Sequence, residues 1–169
     1  MAAMPAPIPI DSAGRFAGYA SIFGVLDDGG DIVMPNAFAG SLARRGRQDI
    51  RLLFQHDPKE PVGVWEAIAE DSVGLWVEGR LVAGVPRADA LRRLIESRAI
   101  DGLSIGFRTT RATREAGTGH RRLWQVDLWE ISIVTFPMMA QARIAAVPPV
   151  ALDRGLGRSL DAAIATLRS

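Results

Sequence analysis

The chain has 169 residues, 48% of them hydrophobic, and its 20 basic residues nearly balance its 19 acidic ones. This length fits one domain with a hydrophobic core, and the net charge of +1 gives no overall attraction to nucleic acid or anionic lipid. Cysteine is absent, which excludes disulfides, cysteine–zinc sites and thiol nucleophiles.

The sequence shows no signal for a membrane. No apolar run approaches the roughly 20 residues that a membrane-spanning helix needs. Residues 1–7 also lack the charged and apolar regions of a secretory signal peptide. The chain is therefore predicted to be a soluble cytoplasmic protein.

The first 31 residues predict an arm, a strand and a turn. Residues 1–14 contain three prolines, which disfavour helices and central strands, so an extended arm is predicted there. Roughly alternating apolar residues predict a strand over 15–23. The Asp- and Gly-rich segment 27–31 predicts a turn, because Gly allows a positive φ and Asp bonds to nearby backbone.

A helix and a buried strand are predicted next. The helix covers 37–45, with Asn36 as its N-terminal cap and Gly46 at its end. The apolar segment 50–55 predicts a buried strand.

The second half of the chain is dominated by strands. Strands are predicted over 62–69 and 75–82, followed by a helix from Pro86 to about Arg98 in which Leu91, Leu94 and Ile95 have the i, i+3, i+4 spacing. Strands over 103–110 and 123–136, joined by a turn at 115–120, come next, and an amphipathic helix is predicted over 157–168. Consecutive strands with short links favour an antiparallel barrel or sandwich over a parallel α/β sheet.

Ser104 is the candidate nucleophile. It lies in Gly-Leu-Ser-Ile-Gly over 102–106, which matches the G-x-S-x-G pattern of a nucleophile elbow. The elbow itself is excluded, because an elbow needs a strand before the serine and a helix after it, and the predicted order is the reverse. Small neighbours still let a substrate backbone approach the hydroxyl. The alternative is that Ser104 simply begins a strand.

His56 is the candidate general base, because a serine hydroxyl needs a positioned base and histidine titrates nearest neutrality. It follows a buried strand, where catalytic groups are often found. The alternative is an ordinary histidine whose neighbours satisfy it. The only other histidine, His120, lies in a predicted turn beside Gly and Arg and is interpreted as solvated.

The third group of the site is an acid on the late strand. Asp127 and Glu130 are the candidates, and their odd spacing puts them on opposite faces, so at most one faces the site. Glu130 is favoured, because a carboxylate between Trp129 and Ile131 is costly without a partner, whereas Asp127 is nearer the strand start and more easily solvated. Asp57 is too close to His56 in sequence to be preferred.

Seven blocks of sequence carry a family resemblance. They are, in order, GYASIF over 18–23, GDIVMPNAF over 30–38, LFQHD over 53–57, PVGVW over 61–65, GLWVEG over 74–79, DGLSIGF over 101–107 and LWEISIVTFP over 128–137. Together they cover roughly residues 15–147 and resemble the prohead maturation proteases of tailed phages with HK97-type capsids.

The resemblance implies a fold and a catalytic pair. The implied fold is mainly β with helices (α+β), an antiparallel β-barrel surrounded by helices, similar to the herpesvirus assemblin proteases. Ser104 and His56 are the implied catalytic pair. The herpesvirus relatives use a second histidine as third member, so an acidic residue must substitute here, which fits Glu130. Arg143 is a candidate to help shape the oxyanion site.

The resemblance also implies a function. The expected protein is a serine endopeptidase that cleaves the scaffold segment of a phage-type capsid protein, and itself, inside immature capsids in the host cytoplasm. Its expected partners are the major capsid protein precursor and further copies of itself, with no nucleic acid or membrane. No cofactor or metal is implied, because neither a ligand cluster nor a phosphate-binding glycine motif is present. The alternative is a non-catalytic scaffold or adaptor protein that retains the fold.

The domain organisation follows from the extent of the resemblance. Residues 1–14 are expected to form the arm and residues 15–147 the protease domain. Residues 148–169 are expected to form a linker and the C-terminal helix, a targeting or self-cleaved segment.

Overall fold

The computed structural model describes residues 9–146, which form one curled, mainly β structure. The strands are β1 Arg15–Ile22, β2 Asp31–Val33, β3 Arg51–Phe54, β4 Asp57–Glu70, β5 Gly74–Leu81, β6 Gly102–Arg114, β7 Arg121–Val134 and β8 Ile144–Ala146. Helix α1 covers Ala39–Arg45, helix α2 covers Pro86–Glu96, and a 3-10 turn covers Arg47–Asp49.

The eight strands form a single sheet. The pairing of strands follows the path β2-β7-β3-β4-β5-β1-β8, and β6 pairs with β7 along the edge opposite the one that β2 and β3 share. Most pairs are antiparallel, as the short links predict, but β2 and β3 both run parallel to β7. They pair with successive parts of one edge of β7, and the chain segment between them contains α1. A three-residue strand such as β2 is too short to give a periodic signal, which is why it was not predicted.

The sheet curls into a half-barrel, and backbone bonds link its two ends. The N–H of Leu103 donates to the carbonyl of Ala142 at 2.9 Å, and the N–H of Ile144 donates to the carbonyl of Asp101 at 2.8 Å. β8 also pairs with β1. These bonds bring the start of β6 beside the last described segment of the chain.

The core lies inside this curl. Its largest fully buried side chains include Phe16, Phe38, Leu52, Leu75, Leu91, Leu103, Leu128 and Ile133. Helix α2 begins with Pro86, as predicted, and buries Ala88, Leu91 and Ile95 on one face. Leu94, the third residue of the spacing that indicated this helix, lies outside the buried face, with 43% of the residue exposed.

Two predictions near the N-terminus need correction. Helix α1 begins at Ala39, and Asn36 does not cap it; Asn36 has a φ of 67° in the preceding turn. Asparagine tolerates this left-handed backbone, so the residue type that indicated a cap serves a turn instead. Residues 9–14 form a bend and a turn held by the Asp11 carboxylate, not an extended arm.

Other predictions fall outside the described part of the chain. Residues 1–8 of the predicted arm and the helix predicted over 157–168 lie there. Within residues 9–146, no helix is both long and apolar enough to cross a membrane.

Candidate active site

Ser104 lies on β6, near the end of the long hairpin that β6 forms with β7. In this register Ser104 is directly opposite Ser132 of β7. The Ser104 side chain is largely buried, with 5% of the residue exposed. Its Oγ lies 3.0 Å from Nε2 of His56, within hydrogen-bond distance.

His56 occupies a two-residue turn between β3 and β4. Phe54 pairs with Asp57 across this hairpin, so Gln55 and His56 form the whole loop. Their φ angles are 53° and 58°, and a positive φ at both central residues is the signature of a type I′ turn. A residue other than glycine in this left-handed conformation costs about 1–3 kcal/mol, and such strained residues cluster at functional sites.

Two contacts fix the turn against β7. The side-chain amide of Gln55 donates to Oγ1 of Thr135 at 2.7 Å, and the backbone N–H of His56 donates to Oγ of Ser132 at 3.0 Å. The imidazole is therefore positioned by its own backbone as well as by its ring contacts.

Glu130 contacts the far side of the imidazole. Its Oε1 lies 2.5 Å from Nδ1 of His56, and its Oε2 accepts a 2.6 Å bond from Oγ of Ser132. Gly106 faces Glu130 across the β6–β7 pair. A Cβ at Gly106 would lie 1.9 Å from Oε1 of Glu130, so only glycine leaves room for the carboxylate in this position.

The carboxylate changes the titration of the histidine. The hydrogen bond from His56 to Glu130 raises the pKa of His56 above its ordinary value of 6.5, although partial burial opposes the shift. A base with a raised pKa takes up a proton more readily.

The structure brings Ser104, His56 and Glu130 into one line of contacts. A hydroxyl, an imidazole and a carboxylate in this order form the arrangement in which a base activates a nucleophile and a third group orients the base. Within the described residues, no group of three or more His, Asp or Glu side chains is arranged to hold a metal ion.

Ser132 is a residue of this site that sequence reasoning missed. It is fully buried and links the backbone of His56 to the carboxylate of Glu130. Its position two residues after Glu130 places both side chains on the same face of β7. That spacing was the available signal, but a serine within a strand does not by itself indicate a role.

Asp127 lies away from the histidine, as its spacing from Glu130 predicts. Its carboxylate accepts bonds from Arg44 and Arg45 of α1, at 3.0 Å and 2.8 Å for the closest pairs. Hydrogen bonding to Arg45 lowers the pKa of Asp127 well below its usual range. The expectation that Asp127 is easily solvated is wrong, because the residue is buried, with 6% exposed.

The other candidates have different surroundings. His120 lies in the β6–β7 turn, far from Ser104, because β6 extends for ten residues beyond Ser104 and these span roughly 33 Å. The Asp57 carboxylate accepts the backbone N–H of Lys59. Arg143 pairs with Asp101 and donates to the carbonyl of Ala140. Among the hydrogen bonds of the described chain, none joins Arg143 to Ser104.

Comparisons with known proteins identify relatives. A family model described as caudovirus prohead serine protease matches residues 7–151. The prohead protease of Enterobacteria phage HK97 is 38% identical over 139 residues, which cover 81% of this chain and 61% of that protein. The match thus spans less than two thirds of that relative's length.

Comparison with solved structures gives viral proteases. The bacteriophage T4 capsid assembly protease matches with a TM-score of 0.60 and 14% identity, over 73% of this chain and 82% of that chain. The KSHV protease in complex with a hexapeptide phosphonate inhibitor gives a TM-score of 0.49 and 12% identity, over 76% and 62% of the two chains. The T4 match confirms the predicted fold class.

Proposed function

The chain belongs to the family of caudovirus prohead serine proteases, and from this premise we propose that it is a serine endopeptidase of capsid maturation. Ser104 is the nucleophile, His56 the general base and Glu130 the group that orients the base. One observation carries the assignment: an unbroken line of contacts runs from Ser104 Oγ through both ring nitrogens of His56 to Glu130.

The geometry supports acyl transfer in two steps. Nε2 of His56 takes the proton from Ser104 as Oγ attacks a peptide carbonyl, and Glu130 stabilises the imidazolium that results. The imidazolium then gives its proton to the leaving amine, which breaks the peptide bond and leaves an acyl-enzyme. A water deprotonated by His56 hydrolyses that ester and restores the hydroxyl.

Ser132 supports this cycle from behind the ring. It accepts the backbone N–H of His56 and donates to Oε2 of Glu130, so the base and its carboxylate share one anchor. Ser132 is a positioning residue, because it contacts neither the nucleophile's oxygen nor the attacked carbonyl.

The substrate we propose is the scaffold segment of the major capsid protein precursor, with cleavage of the protease itself as a second reaction. Both reactions take place inside immature capsids in the host cytoplasm, where further copies of the chain are partners. We assign the activity to residues 15–147, and we assign residues 148–169 to a targeting or self-cleaved segment.

Incubation of the purified protein with its capsid precursor tests the function. The wild type is expected to release the scaffold segment, and Ser104→Ala is expected to lower the rate by at least about 10³-fold, since the nucleophile is lost. Ser97→Ala, at the exposed end of α2, is the matched control and is expected to cleave normally. Mass spectrometry of the products checks both results.

The two histidines test the choice of base. His56→Ala is expected to lose activity, while His120→Ala keeps it, because only His56 contacts Ser104. Equal loss from both variants would contradict the assignment. Absence of any cleavage by a folded wild type would favour the alternative, a scaffold or adaptor protein that retains the fold.

A further inference from the structure

A pocket lies beside Ser104, and neither His56 nor Glu130 lines it. Its volume is about 120 Å³, roughly four times the share of one water molecule in the liquid. Ser104 and its two neighbours on β6 line one wall. Of the described residues, none from the β3–β4 hairpin that carries His56 lines it. The nucleophile therefore contacts the base with its hydroxyl and borders the pocket as well.

Most of the pocket wall is apolar. Its apolar lining comes from β1, β2, β6 and the segment after β7, namely Ala20, Val33, Leu103, Ile105, Phe107, Met138 and Met139. Such a wall favours the hydrocarbon stem of a side chain, because moving apolar surface out of water lowers the free energy.

Two carboxylates interrupt this apolar wall, and they differ in their partners. Asp31 forms a two-bond ion pair with Arg121, at 2.7 Å and 2.6 Å. Asp27 accepts only backbone N–H groups, from Gly29 and from Asp31; it forms no ion pair within residues 9–146, and Arg121 attracts it only at longer range. Partial burial raises the pKa of Asp27, which means that its surroundings disfavour the anion.

Ser21 supplies a second polar group. It is 1% exposed and lines the same pocket. Its Oγ has no hydrogen-bond partner among the described residues. A buried hydroxyl without a partner is costly, so a ligand that bonds to it restores the missing interaction. The pocket thus has apolar walls, a hydroxyl that can accept a hydrogen bond, and a carboxylate that makes no direct ion pair.

From these observations we propose that the pocket receives the side chain on the acyl side of the scissile bond and selects lysine or arginine there. The inference rests on the proposed function. The carbonyl carbon that is attacked must lie within about 3–3.5 Å of Oγ of Ser104, which brings the side chain of that residue to a pocket that Ser104 lines. The stem contacts the apolar wall, and the cationic head contacts Asp27 and Ser21.

Matched peptides from the capsid precursor test the selection. They differ only at the residue before the scissile bond, which is lysine, arginine, norleucine or glutamate. The value of kcat/KM is expected to be at least about tenfold higher for lysine and arginine than for norleucine, which has the stem without the charge, and lowest for glutamate. Equal values for lysine and norleucine would overturn the proposal.

Asp27→Asn is the sharpest variant, because asparagine keeps the oxygen that accepts from Gly29 and Asp31 while removing the charge. It is expected to lower kcat/KM for the lysine peptide by about tenfold and to leave the norleucine peptide unchanged. Asp28→Asn, one residue away and not lining the pocket, is the control and should preserve the lysine preference. A uniform loss on both peptides in Asp27→Asn would overturn the selective role.

A covalent probe separates failure of the pocket from failure of the enzyme. Two phosphonate esters, one with an aminobutyl and one with a butyl side chain, are compared by the rate at which they modify Ser104. Faster modification by the aminobutyl probe, lost in Asp27→Asn, supports the proposal even where peptide turnover is slow. Equal rates overturn the pocket assignment alone. Modification by neither probe, with no cleavage of the capsid precursor, overturns the proposed function and this inference with it.

Discussion

At the scale of single residues, the Glu130 carboxylate divides its two oxygens between different tasks. One oxygen contacts the His56 ring, and the other accepts the hydroxyl of Ser132. Because Ser132 also accepts the backbone N–H of His56, a substitution at any of these three residues alters the hydrogen bonds of the other two. The titration of the base reports this coupling.

In the proposed mechanism, the raised pKa of His56 determines how the rate depends on pH. The base must be neutral, so kcat/KM is expected to fall as the pH drops through a pKa above 6.5. Glu130→Gln removes the cause of the shift, so the acidic limb is expected to move to lower pH while the plateau falls by about 10²–10⁴-fold. Rates measured from about pH 5 to pH 9 check this, and an unmoved limb in the variant would contradict it.

The same shift affects stability with a defined sign. A histidine whose pKa is higher in the folded than in the unfolded chain stabilises the fold below the unfolded pKa. This contribution is lost as the pH rises through the folded value. Protonation of His56 therefore favours the fold and disfavours the proposed reaction.

Ser132→Ala separates positioning from catalysis. Loss of the hydroxyl leaves the His56 N–H without its acceptor and Oε2 of Glu130 without its donor. We expect kcat to fall by about 10–100-fold with little change in KM. With one donor fewer, Glu130 should hold the protonated imidazole more strongly, so the acidic limb should move to higher pH. A loss of rate without a moved limb would indicate a merely structural role.

The residues that could be predicted are those whose signal is local. Ser104 between glycines, His56 at the end of a buried strand and Glu130 among apolar neighbours were proposed from the sequence, and their side chains contact one another in the structure. The burial of Asp127 could not be predicted from the sequence, because its partners Arg44 and Arg45 lie on a helix more than 80 positions earlier. Ser132 was missed because its role depends on a backbone N–H of another hairpin.

At the scale of elements, two hairpins bring the site together. The β3–β4 turn presents His56, and the β6–β7 pair presents Ser104 opposite Ser132. The long strands were predictable from their apolar alternation. The parallel contact of β3 with β7 was not, because it joins segments far apart in the sequence and depends on the path of the chain through α1.

Gly106→Ala tests the fit between β6 and β7. The added Cβ would lie 1.9 Å from Oε1 of Glu130, so the carboxylate must leave the imidazole. We expect activity to fall by about 10²-fold or more and stability to fall by about 1–3 kcal/mol. Peptide cleavage and denaturant unfolding measure the two effects.

Gly40→Ala is the matched control on α1. Its Cβ would make only an ordinary 3.5 Å contact with Arg44, so it is expected to add about 0.4–1 kcal/mol of stability and to leave activity unchanged. Normal activity in Gly106→Ala would show that Glu130 does not need its present position.

At the scale of the whole molecule, the closure of the sheet depends on close backbone contact. Gly18 of β1 lies against the carbonyl of Arg143, and a Cβ there would be 2.0 Å from that oxygen. The Arg143–Asp101 ion pair at the same junction is partly exposed. Such pairs contribute little, whereas backbone displaced from a packed junction is costly.

Two variants compare these contributions. Gly18→Ala is expected to lower the free energy of unfolding by about 3 kcal/mol, and Arg143→Ala by less than about 1 kcal/mol. Denaturant unfolding followed by circular dichroism measures both. A larger loss from Arg143→Ala than from Gly18→Ala would show that the ion pair, rather than the backbone, closes the sheet.

The place of β7 between β3 and β6 has a consequence for the timing of synthesis. A nascent chain that has emerged only through the first 120 residues already exposes Ser104 and His56, but β7, which lies between their strands and aligns them, has not yet emerged. With the roles proposed for these residues, hydrolysis begins only when β7 enters the sheet. With the substrate proposed above, newly made capsid precursors are spared by every incomplete copy of the chain that is still on the ribosome.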